Sequence, residues 1–209
     1  MVQASSLSDV ECPIDAETIV FLDVDDTLIC YPSHLGNERW FVEQWALGDE
    51  ARFHRLAAFL ATALPVVPVE EEAPEIVRRW QEAGAQVIAI TSRALEHPEL
   101  DDWQDVTYQQ ILDAGYQLPR ENLIFAGSTP KGEVITNFLA ELPARPSRVL
   151  FFDDRLSDLE GVGEEITSVW YRACEPRRTA YDSALAAREL CLAIETQFLA
   201  GGPVIDQGE

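Results

Sequence analysis

Apolar residues along this chain follow two rhythms that alternate. Residues 18–24 form a short β-branched and apolar run that stops at acidic residues, the profile of a strand buried in a parallel sheet. Residues 86–90 and 148–152 repeat that profile, the first running into Thr91 and Ser92 and the second into Asp153 and Asp154. Shorter runs at 123–126 and 166–171 predict two further strands. Between these runs the spacing turns helical: at 72–83, closed by Gly84; at 105–114, stopped by Gly115; from Lys131 to about 139; briefly after Asp154; and finally within 178–199. Strands alternating with helices predict a Rossmann-like α/β fold, a central parallel sheet with helices on both faces joined by right-handed crossovers.

One stretch breaks the alternation. From 37 to 64 the residues Trp40, Phe41, Trp45, Leu47, Phe53, Leu56, Phe59 and Leu60 recur at roughly helical spacing, with an interruption near Gly48 and a stop at Pro65 and Pro68. This predicts a small helical insertion over 31–68, set into an α/β core made of 1–30 and 69–209. The stripe Trp40, Phe41, Trp45 is expected to pack as core, while His54 and His97 are expected at the surface.

Composition removes several classes of function. The formal net charge is −22, and so acidic a surface repels nucleic acid phosphates over most approaches, so no nucleic-acid surface is expected. No apolar stretch has the length of a membrane-spanning helix, and the first fifteen residues lack the basic start and apolar run of a secretory signal. Cys12, Cys30, Cys174 and Cys191 lie far apart, with no paired or His-flanked spacing for zinc, a pattern of reduced thiols in a cytoplasmic protein. Of the 15 basic residues, 14 are arginine and one, Lys131, is lysine.

The polar residues without an evident structural task gather at the carboxyl edge of the predicted sheet, where ligands bind in this architecture. Asp23, Asp25, Asp26 and Thr27 follow one strand, Thr91, Ser92 and Arg93 a second, and Asp153, Asp154 and Asp158 a third. Lys131 opens a helix after Gly127, Ser128, Thr129 and Pro130, so it faces the same edge. Carboxylates crowded in one crevice repel one another unless a cation joins them. Oxygen donors without His or Cys favour a hard ion, and Mg2+ is the commonest. Strand alternation predicts that Asp23 and Asp25 share a side and that only one of the neighbours Asp153 and Asp154 faces the metal, with Asp154 preferred because it precedes Asp158 by about one turn. Asp153 is left to hold a water or Lys131.

Asp23-Val-Asp-Asp-Thr-Leu28 after an apolar strand resembles the D-x-D-x-T-L signature of haloacid dehalogenase (HAD) superfamily phosphohydrolases. Thr91 is similar to that superfamily's second motif, Lys131 to its third, and Asp153-Asp154 with Asp158 to its acidic fourth, with Asp153 standing where a glycine is usual. Residues 36–41 resemble a poorly characterised bacterial branch. The resemblance implies an aspartyl-phosphate on Asp23, acid and base work by Asp25, phosphoryl contacts from Thr91 and Lys131, and a magnesium site drawn from Asp23, the Asp25 main-chain carbonyl, Asp154, Asp153 and Asp158. It implies a cap formed by the insertion. Ser92, Arg93, Thr27, Arg39, His34 and Glu38 are candidates for substrate contact, with a phosphorylated small molecule favoured over a macromolecule. A phosphotransferase or mutase shares these motifs. A non-catalytic phosphate-binding regulator, such as a receiver-like module, also uses acids, a Thr and a Lys, but in a different order along the chain.

Overall fold

A computed structural model describes residues 1–32 and 36–176. Six strands form one parallel sheet: β1 (Val2–Ala4), β2 (Thr18–Asp23), β5 (Gln86–Thr91), β6 (Leu123–Phe125), β7 (Arg148–Asp153) and β8 (Ile166–Tyr171), in the order β1-β8-β7-β2-β5-β6. Two short strands, β3 (Ile29–Cys30) and β4 (Val67–Pro68), pair antiparallel apart from it. The α/β architecture expected from the alternation of runs is therefore the one present. Strand β1 was not foreseen, because three residues at a sheet edge carry no readable period. The helix expected within 178–199 lies outside the described residues.

Strand β2 sits at the centre between β7 and β5, and all six of its residues are buried. Side chains alternate across the sheet. Val20 and Leu22 join Leu150 and Phe152 in the core on one face, under α3 (Ala73–Glu82) and α4 (Trp103–Asp113), which contribute Ile76, Val77 and Ile111. Ile19 and Phe21 join Val149 and Phe151 on the other, under α5 (Lys131–Glu141) and α6 (Leu156–Leu159), which contribute Ile135 and Leu159. Asp23 continues the parity of Ile19 and Phe21, and Asp153 that of Val149 and Phe151, so both carboxylates turn toward the α5 side. Lys131 lies one turn before Ile135 on that helix, and residues four apart share a face. The packing that buries Ile135 thus carries Lys131 to the two acids.

The β3–β4 ladder ties the entry of the insertion to its exit, with Ile29 opposite Pro68 and Cys30 opposite Val67. Between them run α1 (Glu38–Ala46) and α2 (Glu50–Ala63), capped by Asn37 and Asp49. Trp40, Leu56 and Leu60 anchor these helices in the core. Of the expected aromatic stripe only Trp40 is fully buried; Phe41 is half-buried and Trp45 is exposed, because the helix offers a single face to the core. Gly36, at φ 76°, lies so close to Tyr31 that a Cβ there would run into its ring.

Candidate active site

The site is assembled from the ends of β2, β5 and β7 and the first residue of α5. Lys131 Nζ donates to Asp23 Oδ1 at 2.5 Å and to Asp153 Oδ2 at 2.7 Å, and all three side chains are buried. Asp158 Oδ2 stands 3.6 Å from the same nitrogen. Asp153 Oδ1 accepts the Arg155 N–H at 2.8 Å, which fixes the carboxylate from its other side.

Electrostatics here follow from crowding. Burial pushes the Asp23 carboxyl above the usual carboxylate range, against the pull of Lys131, and Asp25 pushes it further. Asp153 is pushed up to about 7, by burial first and by Asp23 next. Burial opposes the charge on Lys131, yet Asp23 and Asp153 outweigh it and raise its pKa. One ammonium shared between two carboxylates leaves negative charge uncompensated. Asp154 adds more: single carboxylate oxygens of Asp23, Asp153 and Asp154 all lie within 4.8 Å of one another. When all three are ionised, three carboxylates against one ammonium leave an excess of two negative charges in a buried place, which suits a divalent cation held by hard oxygen donors. Both neighbours Asp153 and Asp154 enter this group. Strand β7 ends at Asp153, so the alternation expected to turn one of them away does not extend to Asp154. The carboxylate of Asp158 lies outside the group of three, beside Lys131.

Asp23 and Asp25 border one cleft, although the pleat of β2 stops at Asp23. Strand β2 ends at Asp23, and the chain turns at once, with the Leu28 and Ile29 N–H groups both donating to the Val24 carbonyl. Asp26 occupies the left-handed region at φ 61°, which a short acidic side chain tolerates, and its Oδ2 accepts the Glu38 N–H at the start of α1. Asp26 is thus a turn former and cap. Thr27 is fully buried with no hydrogen bond to Oγ1, and it does not border the cleft described below.

Asp25 is held instead by Arg93. The guanidinium grips it with both prongs, Nε to Oδ2 at 2.8 Å and Nη2 to Oδ1 at 2.6 Å. Its remaining nitrogen, Nη1, donates to Thr107 Oγ1 at 3.0 Å and Gln110 Oε1 at 2.7 Å on α4. Gln110 Nε2 in turn donates to the Tyr31 hydroxyl and the Ala61 carbonyl, each at 3.2 Å, so α4 connects Asp25 to helix α2. Arg93, read from sequence as a substrate contact, is spent on Asp25: its fork matches a carboxylate, and four of its five N–H groups are taken. Burial opposes its charge while Asp25 raises its pKa overall. Thr91 is buried at the end of β5, where its Oγ1 accepts the Arg93 N–H at 3.1 Å.

A cleft of about 360 Å³ opens above this floor. Asp23, Asp25, Lys131 and Asp154 border it, together with Ser92, Arg93 and Glu38 from the sequence candidates. Arg39 does not: it is exposed on α1 and absent from the cleft wall, because the helix turns its neighbours Trp40 and Glu38 inward. His34 lies outside the described residues. His54 and His97, expected at the surface, border the cleft along with Phe41, Phe53 and Trp103. Burial, then His54, lowers the His97 pKa. No spacing in sequence joins these rings, since four separate segments meet only in the folded chain.

The family described as "Protein of unknown function (DUF2608)" matches residues 3–169. No curated protein matches the chain. Among solved structures it is similar to the HAD domain of the effector protein Lem4 from Legionella pneumophila, solved as an inactive mutant, at 15% identity and a TM-score of 0.41, over 86% of this chain and 100% of that one. Among the described residues, no helix is long and apolar enough to cross a membrane.

Proposed function

The chain belongs to the DUF2608 family, and from the site on its sheet edge we propose that it is a magnesium-dependent phosphohydrolase of the haloacid dehalogenase type, cleaving a phosphomonoester of a small molecule. The observation that carries this reading is the buried bridge of Lys131 between Asp23 and Asp153, with Asp154 beside it. A structural ion pair needs one acid per base. A phosphoryl-transfer site needs a nucleophilic carboxylate, a positive charge beside it and spare acids for a metal.

In the first half-reaction an oxygen of Asp23 bonds to phosphorus as the bond to the ester oxygen breaks, giving an aspartyl-phosphate. The departing oxygen leaves with the electron pair and takes a proton from Asp25. In the second, water attacks phosphorus, Asp25 takes its proton, and phosphate departs with the Asp23 carboxylate restored. Asp25 therefore gives a proton in the first step and takes one in the second, and the Arg93 fork fixes where its carboxyl group stands. Lys131 offsets charge on Asp23 and on the phosphoryl oxygens. The Thr91 hydroxyl, which accepts from Arg93 N–H, keeps its proton to donate to a phosphoryl oxygen. Asp23, Asp153 and Asp154 are the side chains that would hold magnesium, which when bound supplies positive charge against the phosphoryl oxygens.

The test is release of inorganic phosphate from p-nitrophenyl phosphate with and without magnesium. Activity is expected with the ion and not after EDTA treatment, and Asp23→Asn is expected to lower kcat on the order of 10⁴-fold or more, as removal of a nucleophile does. Undiminished turnover by correctly folded Asp23→Asn would overturn the assignment.

A further inference from the structure

The floor of the cleft is charged, but much of its wall is aromatic. Phe41 of α1, Phe53 and His54 of α2, His97 of the loop after β5 and Trp103 of α4 all line the cavity that opens on Asp23, Asp25 and Lys131. Their rings touch in series. Centroids lie 5.8 Å apart for Phe41–Phe53, 5.8 Å for Phe53–His54, 5.2 Å for His54–His97 and 4.5 Å for His97–Trp103. Three of these contacts are edge-to-face, with interplanar angles of 61–85°, whereas His97 and Trp103 lie tilted at 34°. Phe41, Phe53, His54 and His97 are only half-buried, so the wall keeps ring surface for a ligand.

Arg93 joins this wall to the chemistry. The guanidinium that grips Asp25 also stands 5.3 Å from the centre of the Trp103 ring. A leaving oxygen that receives the Asp25 proton lies within hydrogen-bonding reach of that carboxyl. The group it carries must then occupy the space beside Asp25 and Arg93, and that is where the series of rings begins. An open-chain polyol gains little from such a wall, since each buried hydroxyl needs a hydrogen-bond partner. Phe41, Phe53 and Trp103 offer flat apolar surface instead, with the two imidazoles as ring faces between them, and edge-to-face or offset contacts of a further ring with such surface are favourable by about 0.5–1.5 kcal/mol each. A cavity of about 360 Å³ is at the small end of ligand sites, which fits one or two fused rings with a phosphate.

We propose that this wall is a leaving-group subsite for an aromatic ring, so that the preferred substrates are phosphate monoesters of phenols and naphthols. This rests on the phosphomonoesterase reading above. Asp23 bonds to phosphorus, the aryl oxygen departs with its electron pair and takes the Asp25 proton, and the free phenol is released along the wall.

The experiment compares kcat/KM for 1-naphthyl phosphate and glycerol 3-phosphate, with magnesium, in the wild type, Phe53→Ala and Phe53→Leu. Because aryl oxygens are intrinsically better leaving groups, the readout is the change on substitution and not the wild-type ratio. Phe53→Ala is expected to lower the naphthyl value about tenfold more than the glycerol value, the equivalent of about 1.4 kcal/mol. Phe53→Leu, which keeps apolar bulk and guards against misfolding, is expected to fall between. Equal losses on both esters, or none on either, would overturn the subsite. If the wild type releases phosphate from neither ester, it is the hydrolase reading that fails.

Discussion

The two sides of the cleft differ in where their order comes from. The floor, made of Asp23, Asp153 and Lys131, is placed by a central sheet and the helix packed on it, and every charged group there is buried and hydrogen-bonded. The wall, made of Phe41, Phe53, His54, His97 and Trp103, is placed by an insertion, a loop and a helix whose rings meet in series, with the neutral hydrogen bond from Gln110 to the Ala61 carbonyl as a further tie. A floor held by short charge-assisted bonds tolerates little displacement. A wall of half-buried rings adapts to what rests on it. The first arrangement suits chemistry common to many substrates and the second suits selection among them.

Breaking the floor is the most severe way to test the contrast. Lys131→Met removes the ammonium and leaves Asp23 and Asp153 facing each other in a buried site. The variant is expected to lose about 3–5 kcal/mol of stability without metal, as when one partner of a buried pair is removed. Urea denaturation in EDTA measures it. Magnesium is expected to restore part of that loss; a variant as stable as the wild type in EDTA would show that the bridge contributes no net stabilisation.

The joint between floor and wall comes next. Arg93→Gln frees Asp25 while leaving Asp23 and Lys131 in place, and about a 10²-fold fall in kcat with little change in KM is expected if Arg93 positions the acid. Steady-state kinetics with p-nitrophenyl phosphate decide this. A rise in KM at constant kcat would return Arg93 to the role of substrate contact that its sequence position first indicated.

The mildest test leaves every residue intact and changes pH. An unfolded aspartate titrates near 3.9, whereas burial and Asp23 push folded Asp153 up to about 7. The folded state therefore holds the proton more tightly, and this contribution to stability is full below about pH 4 and disappears as pH rises through about 7. In EDTA the melting temperature is expected to fall across that window, by about 2–4 °C for each kcal/mol lost in a chain of this size. Magnesium, which takes the place of the proton, is expected to flatten the curve. A melting temperature that rises with pH in EDTA would contradict the charge excess ascribed to the floor.

The floor was legible in the sequence because it obeys local rules. Asp23, Thr91 and Asp153 terminate apolar runs, and Lys131 begins a helix after Pro130, so topology alone brings them to one edge. What failed was the extension of strand alternation past the last paired residue. Asp154 lies just beyond β7, where the turn and not the pleat aims the side chain, so it joins Asp153 at the acidic cluster. The wall was not legible. His54 and His97 lie 43 positions apart with no shared period, and nothing in either neighbourhood shows that the rings meet edge to face. Arg93 was legible as a residue of the cleft but its bonds were not, since the acceptors it grips are 68, 14 and 17 positions away.

The solitary lysine has one more consequence. Lys131 is the only lysine among these 209 residues, and folding leaves it 3% exposed. The folded surface therefore offers no ε-amine to acetylating, methylating or ubiquitin-conjugating enzymes, and any amine-directed reagent that modifies a side chain of this protein does so at the buried floor of the cleft.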